Sequence, residues 1–450
     1  MSPTQILAAR AVLGAAAAGL SFGFVSSKRL LTIPSATFDR FVAAGVVISR
    51  FGLFLLIFAV LKIKPKGDEG FYFEEAQKFL QHLIPYRDFR SSYAPLHAVM
   101  DAAFLHLWNN TLILMFFAVA CEAALIFLWL RFGRSLFAES HVRIAALLYL
   151  ASPISLQYTV VDGQDNVIIA LLMVLSLYYL FKRKDLLSGV LFAASVCCVK
   201  FLPLLFAPEL FFASSRRWRW ALAAVIPTAL IYGWFQFVLH ANITVPVSHE
   251  GAIRTAGNLP YLVSTIIGID LPLGVLDLIF LLLVLATIVV CLRALWHQDL
   301  ATRSRLAVFA VAAVNLAFVL FSKKSWPSYL MLSLFPVSLV PSFDPADPKR
   351  QKSWSWLLAG FCFFGFVAVV ENSVWFSLFL KAPAPAMHTM ILQGNKVAIM
   401  FLLMQLVLIG GYLLLFVEAI RRTLRPYETL PDHAAAPPNA TAPGDQALAR

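Results

Sequence analysis

Two adjacent carboxylates, Asp68 and Glu69, open a stretch of acidic and aromatic residues set between long apolar runs. It reads Gly67-Asp68-Glu69-Gly70-Phe71-Tyr72, then Ile84-Pro85-Tyr86-Arg87-Asp88-Phe89, then Tyr93-Ala94-Pro95. Ionisable groups at a membrane are costly, and that makes them candidates for function. A carboxylate at the mouth of a lipid-embedded cavity can take the proton of an attacking hydroxyl while staying mostly ionised near neutral pH. The competing account is structural: Asp68 caps a following helix and Glu69 complements its dipole.

Four other polar groups interrupt the apolar sequence. Gly163-Gln164-Asp165-Asn166 opens one run, and its amides suit hydrogen bonds to a polar ligand. Lys200 lies mid-run beside Pro203 and suits a phosphate, although a lysine near a helix end can also snorkel to the interface. Lys323-Lys324 precede Ser325-Trp326-Pro327-Ser328-Tyr329, and the loop His240–Asp270 carries His249, Glu250, Arg254 and Asn258. Arg254, Lys323 and Lys324 are candidate phosphate ligands, with an ordinary solvated loop or an interfacial anchor as the alternative. Arg87 and Asp88 can pair with each other or hold a ligand.

These residues must be held by membrane helices. The chain has 450 residues, 60% hydrophobic and only 13% charged, about half the charged share of a soluble protein. An all-α, polytopic bundle of roughly 11 to 14 membrane segments follows from windows of about 20 apolar residues. They fall near Gln5–Val25, Val42–Leu61, Thr111–Leu130, Val142–Val161, Asn166–Phe181, Leu186–Phe212, Trp220–Leu239, Gly274–Leu295, Leu306–Phe321, Tyr329–Pro341, Trp354–Val370 and Lys396–Ile420. Tyr93–Trp108 is either a short span or an interfacial helix. Leu186–Phe212, at about 27 residues, is too long for a simple span. With a proline in its middle it reads as two half-helices meeting at Lys200.

The clusters Lys28/Arg29/Arg40, Arg131/Arg134/Arg143, Lys182/Arg183/Lys184, Arg216/Arg217/Arg219, Arg293/Arg303/Arg305, Lys349/Arg350/Lys352 and Arg421/Arg422/Arg425 can share the cytoplasmic side. The opposite face then holds residues 62–95, the turn at 162–165, the loop 240–270, the turn at 323–327 and a loop from Glu371 to Asn395. Lys62, Lys64, Lys66, Lys323 and Lys324 break the positive-inside pattern there, which points to an anionic ligand. Tyr72, Ala76, Phe79, Leu80 and Leu83 recur at helical spacing, opposite Glu74, Glu75, Lys78 and Gln81. They predict an amphipathic helix lying on the membrane surface inside the first long loop, residues 62–98. The tail after Arg425, rich in Pro and Ala, is predicted to be disordered.

The net charge of +12 reflects topology and anionic lipid rather than nucleic acid, since the basic residues sit in short clusters between spans. The five cysteines form no CxxC pair and the nine histidines no HExxH, so no zinc site is implied. A divalent ion at Asp68, Glu69, Asp162 or Asp165 stays open.

The run GDEGFYFEEAQKFLQHLIPYRDFRSSYAPL resembles the first extracytoplasmic loop of GT-C superfamily glycosyltransferases. Asp68, Tyr72, Ala76, Pro85-Tyr86-Arg87-Asp88 and Pro95 fill its pattern; the Gly expected before Pro85 is replaced by Leu83 and Ile84. Gly163-Gln164-Asp165-Asn166, Ser188-Gly189 and Cys198-Val199-Lys200-Phe201-Leu202-Pro203 are similar, in order, to a signature of mannosyltransferase-like families within that superfamily. The resemblance covers residues 62–212. It implies an inverting hexosyl- or pentosyltransferase that needs no cofactor. Its partners would be the bilayer, a polyprenyl-phosphate sugar donor and a glycan, lipid or protein acceptor. Asp68 would be the base. Glu69, Tyr72, Arg87, Asp88, Gln164, Asp165 and Asn166 would contact substrate, and Lys200, Arg254, Lys323 and Lys324 would contact phosphate. The expected setting is a bacterial cytoplasmic membrane with an extracytoplasmic site, or the ER membrane in a eukaryote. The rival reading is a transporter or flippase for an anionic or lipid-linked substrate, which also needs broken helices and intramembrane charge. No related halves are visible to support it.

Overall fold

The computed structural model describes residues 3–65, 67–343 and 348–425, with side chains omitted at 3 and 348–354. The tail beyond Arg425 and Lys66 therefore lie outside the described residues, as do the side chains of Lys349, Arg350 and Lys352. Helices dominate throughout, and the single β-bridge among the described residues, Pro85 to Phe89, closes a turn.

Eight described helices are long and apolar enough to cross a membrane: Thr4–Ser26, Ser35–Val60, Thr111–Leu136, Arg217–Val238, Leu273–Trp296, Leu300–Phe321, Ser355–Ser377 and Lys396–Leu424. Glu139–Leu150 and Pro153–Val161, bent by 41°, add a ninth if taken as one span. The expected number was higher for a physical reason. Hydropathy does not distinguish a lipid-facing span from a short helix buried by its neighbours. Asn166–Phe181 has only 16 residues. The expected span Tyr329–Pro341 is instead a buried succession of short pieces, Pro327–Ser333, Leu334–Leu339 and Val340–Ser342. Another correction concerns Glu371: it is not in a loop, because the helix Ser355–Ser377 runs past it. It is buried there and accepts from Gln405 at 3.1 Å.

Leu300–Phe321 forms the axis of the bundle, with 89% of its apolar window buried. A second interior anchor is Arg50, fully buried with Glu122 at 3.1 Å. Its remaining donors reach the Leu150 carbonyl at 2.6 Å and the Ser155 hydroxyl. A charge in this position must be paired and hydrogen-bonded to be tolerated.

The bundle has two chemically distinct ends. At one, Arg134 pairs with Asp39 at 2.6 Å, Arg143 donates to the Ile33 carbonyl, and Asp185 accepts from the Ser215 amide. This end gathers the basic clusters. The half-helix reading of Leu186–Phe212 holds: Asp185–Cys198 rises from the basic end, and Leu202–Phe206 and Ala207–Ala213 return to it. The helix stops at Val199, ahead of Pro203. There the carbonyls of Cys197 and Val199 accept from the amides of Leu96 and Ala94, both at 3.0 Å. Pro95, which has no N–H, falls at the skipped position. The apex residue, Lys200, is thereby delivered to the far end.

Candidate active site

The far end is assembled from four chain segments and the apex residue Lys200. The first is the loop helix Glu69–Leu80, which forms where periodicity predicts it. Its buried face includes Glu69, Tyr72, Glu75 and Ala76. Glu75 thus corrects the expected polar face: it points inward and accepts from Ser91 at 2.7 Å. The second segment, 93–105, contains the short helix His97–Leu105. The third is the turn 162–166 with Lys200. The fourth is the turn 322–328, to which the loop before Leu259 docks through Thr255, bonded to the Lys323 carbonyl at 3.0 Å.

Asp68 stands at the N-cap position of the loop helix, yet its side chain caps nothing. It accepts instead from the Gln164 amide at 2.7 Å. Gly67 explains how the loop comes so close: a Cβ there would lie 2.2 Å from the Asp162 carbonyl oxygen. The half-buried Asp68 carboxylate is thus turned towards the bundle rather than along its own helix.

Glu69 is buried, with one oxygen accepting from the Gly67 amide at 2.9 Å and the other unbonded. Burial pushes its carboxyl up to about 7, and the Asp162 and Asp68 charges add to the rise against the Gly67 bond. Asp162 rises to about 6 by burial, restrained by Arg10, which pairs with it at 2.6 Å. Protons can therefore reside beside Asp68 near neutral pH.

Below them lies a buried charged cluster. Asp165 meets Lys200 at 2.7 Å and His97 at 3.1 Å. Burial opposes the Asp165 charge, but Lys200 and His97 outweigh it and hold the carboxyl at about 2. His97 also faces Asp101 at 3.4 Å; burial lifts Asp101 to about 6 although His97 pulls the other way. Aromatic rings enclose this cluster. Tyr93 stacks on His97 at 4.4 Å, Tyr72 meets Tyr93 edge-on at 5.0 Å, and the Lys200 ammonium lies 5.2 Å from the Tyr93 ring centre.

Asp68, Glu69, Tyr72, Gln164, Asp165, Asn166 and Lys200 are therefore brought together. Arg87 and Asp88 are not part of this network. Both are exposed and pair with each other at 2.8 Å, and Asp88 also accepts from the Ile84 amide, closing the turn. The expected phosphate ligands all have carboxylate partners: Lys200 with Asp165, Arg254 with Asp270, Lys323 with Asp277 and Lys324 with Glu250. Of these, Lys324 remains half-buried beside the site and lies within electrostatic reach of Lys200 and Asp68. Burial lowers its ammonium to about 8, Lys200 adds to the fall, and Asp68 opposes it.

His97, Asp101, Tyr93 and Arg10 were not singled out from sequence. A histidine and an aspartate four apart, on a short helix after Pro95, were the one available signal. Arg10 had none, since its partner is 152 positions away. Among the described residues no three His, Cys, Asp or Glu side chains converge as a metal site.

No curated protein sequence matches the chain. The fold is similar to the crystal structure of ArnT from Cupriavidus metallidurans bound to undecaprenyl phosphate, at 14% identity and a TM-score of 0.49, over 88% of this chain and 78% of that one. The sequence profile of glycosyltransferase family 87 matches residues 92–322. That match is more than half of the chain, and it runs from the segment carrying Tyr93 and His97, through Gln164–Asn166 and Lys200, to the threshold of Lys323. The chain belongs to glycosyltransferase family 87.

Proposed function

We propose that this membrane glycosyltransferase moves a sugar, with inversion, from a polyprenyl-phosphate donor to a hydroxyl acceptor. Asp68 takes the proton of the acceptor hydroxyl. The alkoxide oxygen attacks the anomeric carbon from the face opposite the phosphate. The bond from that carbon to the phosphate oxygen breaks, and polyprenyl phosphate departs. Lys324 answers the charge growing on the leaving phosphate. Glu69 and Gln164 line the sugar side. The basic end of the bundle faces the cytoplasm by the positive-inside rule, which leaves the site extracytoplasmic. A donor whose carrier is a lipid can reach a site at the end of a membrane bundle without leaving the bilayer.

The observation that carries this reading is the orientation of Asp68. A carboxylate at a helix N-terminus ordinarily bonds the first-turn amides. This one forgoes them and is aimed, with one side-chain amide as its partner, at the bundle's turn 162–166. Family membership leaves the transporter reading without support. The test is incubation of purified protein with labelled polyprenyl-phosphate hexoses and pentoses, mannose first, and a mixed glycan and glycolipid acceptor pool. Transfer from one donor, lost in Asp68→Asn, supports the reading. No transfer from any polyprenyl-phosphate donor, with transfer from a nucleotide sugar, sinks it.

A further inference from the structure

Lys200 is the residue most readily taken for a phosphate ligand, and its hydrogen bonds argue otherwise. The ammonium donates to Asp165 at 2.7 Å and to the Asn166 side-chain oxygen at 3.2 Å. Asn166 in turn donates to the Gln164 side-chain oxygen at 3.4 Å and to the Ser328 carbonyl at 3.3 Å. Gln164 donates to Asp68 at 2.7 Å.

The direction of this chain follows from chemistry alone. A lysine ammonium only donates, so Asn166 must turn its oxygen towards it. The Asn166 NH₂ is then left facing the Ser328 carbonyl, which only accepts, and the Gln164 oxygen. Gln164 therefore presents its own NH₂ to the Asp68 side-chain oxygen, which accepts it. Both ends of the chain enforce the same sense. Reversing either amide would set two oxygens against each other at one contact and two N–H groups at the next. Lys200 is itself fixed by Asp165, whose second oxygen is held by His97.

We infer that Lys200 is a positioning residue for Asp68, acting through Asn166 and Gln164, and is not a ligand of the donor phosphate. This rests on the reading of Asp68 as the base. It assigns to Lys200, buried between Asp165 and the Tyr93 ring, the task of fixing which face of two amides meets the base.

The roles separate in steady-state kinetics and in direct donor binding. Lys200→Met removes the terminal donor. Asn166→Asp keeps the ammonium but removes the N–H that orients Gln164. Each is expected to lower kcat roughly ten- to a hundredfold, the loss expected for a hydrogen bond to a charged group. Donor KM and the Kd for polyprenyl phosphate should stay within about threefold of wild type. Lys200→Arg, which still donates, should recover part of the lost kcat. If Lys200→Met fails to fold because Asp165 is left unpaired, Lys200→Met with Asp165→Asn removes both charges and carries the same expectation. A tenfold rise in donor Kd with near-normal kcat at saturation would make Lys200 a phosphate ligand and overturn the inference. Wild-type kcat in Asn166→Asp would overturn it as well. Asp68→Asn, measured in parallel, tests the base assignment separately: normal turnover there removes that reading, whatever Lys200 does.

Discussion

Gln164 donates a hydrogen bond to Asp68 across 2.7 Å and 96 positions of sequence. It ties an amphipathic loop to the helical bundle at the point where the loop carries its half-buried acid. Several measurable consequences follow from that tie and its surroundings.

Asp68→Asn should reduce sugar transfer by about 10²–10⁴-fold, the usual contribution of a general base. The amide side chain keeps its shape and partner, so the fold and donor affinity should be retained. Radiolabel transfer alongside donor binding checks both halves.

Gly67→Ala should impair turnover while leaving the bundle folded. The added methyl would sit 2.2 Å from the Asp162 carbonyl oxygen, so the loop must lift off the turn and take Asp68 with it. A variant with wild-type kcat would show that this close approach is dispensable.

Thermal stability in detergent should decline as pH rises from about 4.5 to 7. Burial raises Glu69 from its ordinary 4.5 to about 7, so the folded state holds that proton more tightly than the unfolded one. The contribution is fully present below the unfolded value and is lost as pH rises through the folded one. Glu75 behaves alike, raised to about 7 by burial. Glu69→Gln should flatten part of this slope in melting curves taken across the range.

Donor affinity should weaken as pH rises through about 8, because Lys324 loses its charge there. Lys324→Arg should abolish that weakening, since arginine stays charged. Glu250, the carboxylate now paired with Lys324, competes with a donor phosphate. Glu250→Gln should therefore tighten donor binding by about two- to fivefold, the scale of a partly exposed ion pair. Titration with polyprenyl phosphate measures both.

Arg50→Leu should destabilise the protein by about 3–5 kcal/mol, because it strands Glu122 uncompensated inside the bundle. The readout is the melting temperature of the detergent-solubilised protein. Arg50→Leu paired with Glu122→Leu should restore much of the loss.

The sequence made some of this readable and hid the rest for definable reasons. The loop helix, the return at Lys200 and the grouping of basic clusters at one end all follow from local patterns, period and charge. The same patterns misjudged Tyr329–Pro341, because a short buried run has the hydropathy of a span. Asp68 looked equally like a cap, and its side chain, bonded to Gln164 rather than to its own helix, is not one. Lys200 was placed correctly in space but not in its partnerships. Asp165 sits 35 positions away, and nothing in the sequence says that its charge is already answered. His97 went unnoticed because its only sequence signal, Asp101 four residues on, is a weak one, and its partner Asp165 lies 68 positions away.

The first loop is fastened at both ends, by Gly67 lodged against the Asp162 carbonyl and by Ala94 and Leu96 bonded to the stopped helix at Val199 and Cys197. Asp68 takes its position from the first fastening, and Tyr93 and His97 take theirs from the second. The tip between them, around Gln81 to Ile84, lies outside both, with Ile84 packed beside Tyr86, Phe235 and Ala241. A change confined to that tip would leave both fastenings, and with them the placement of Asp68 and His97, intact.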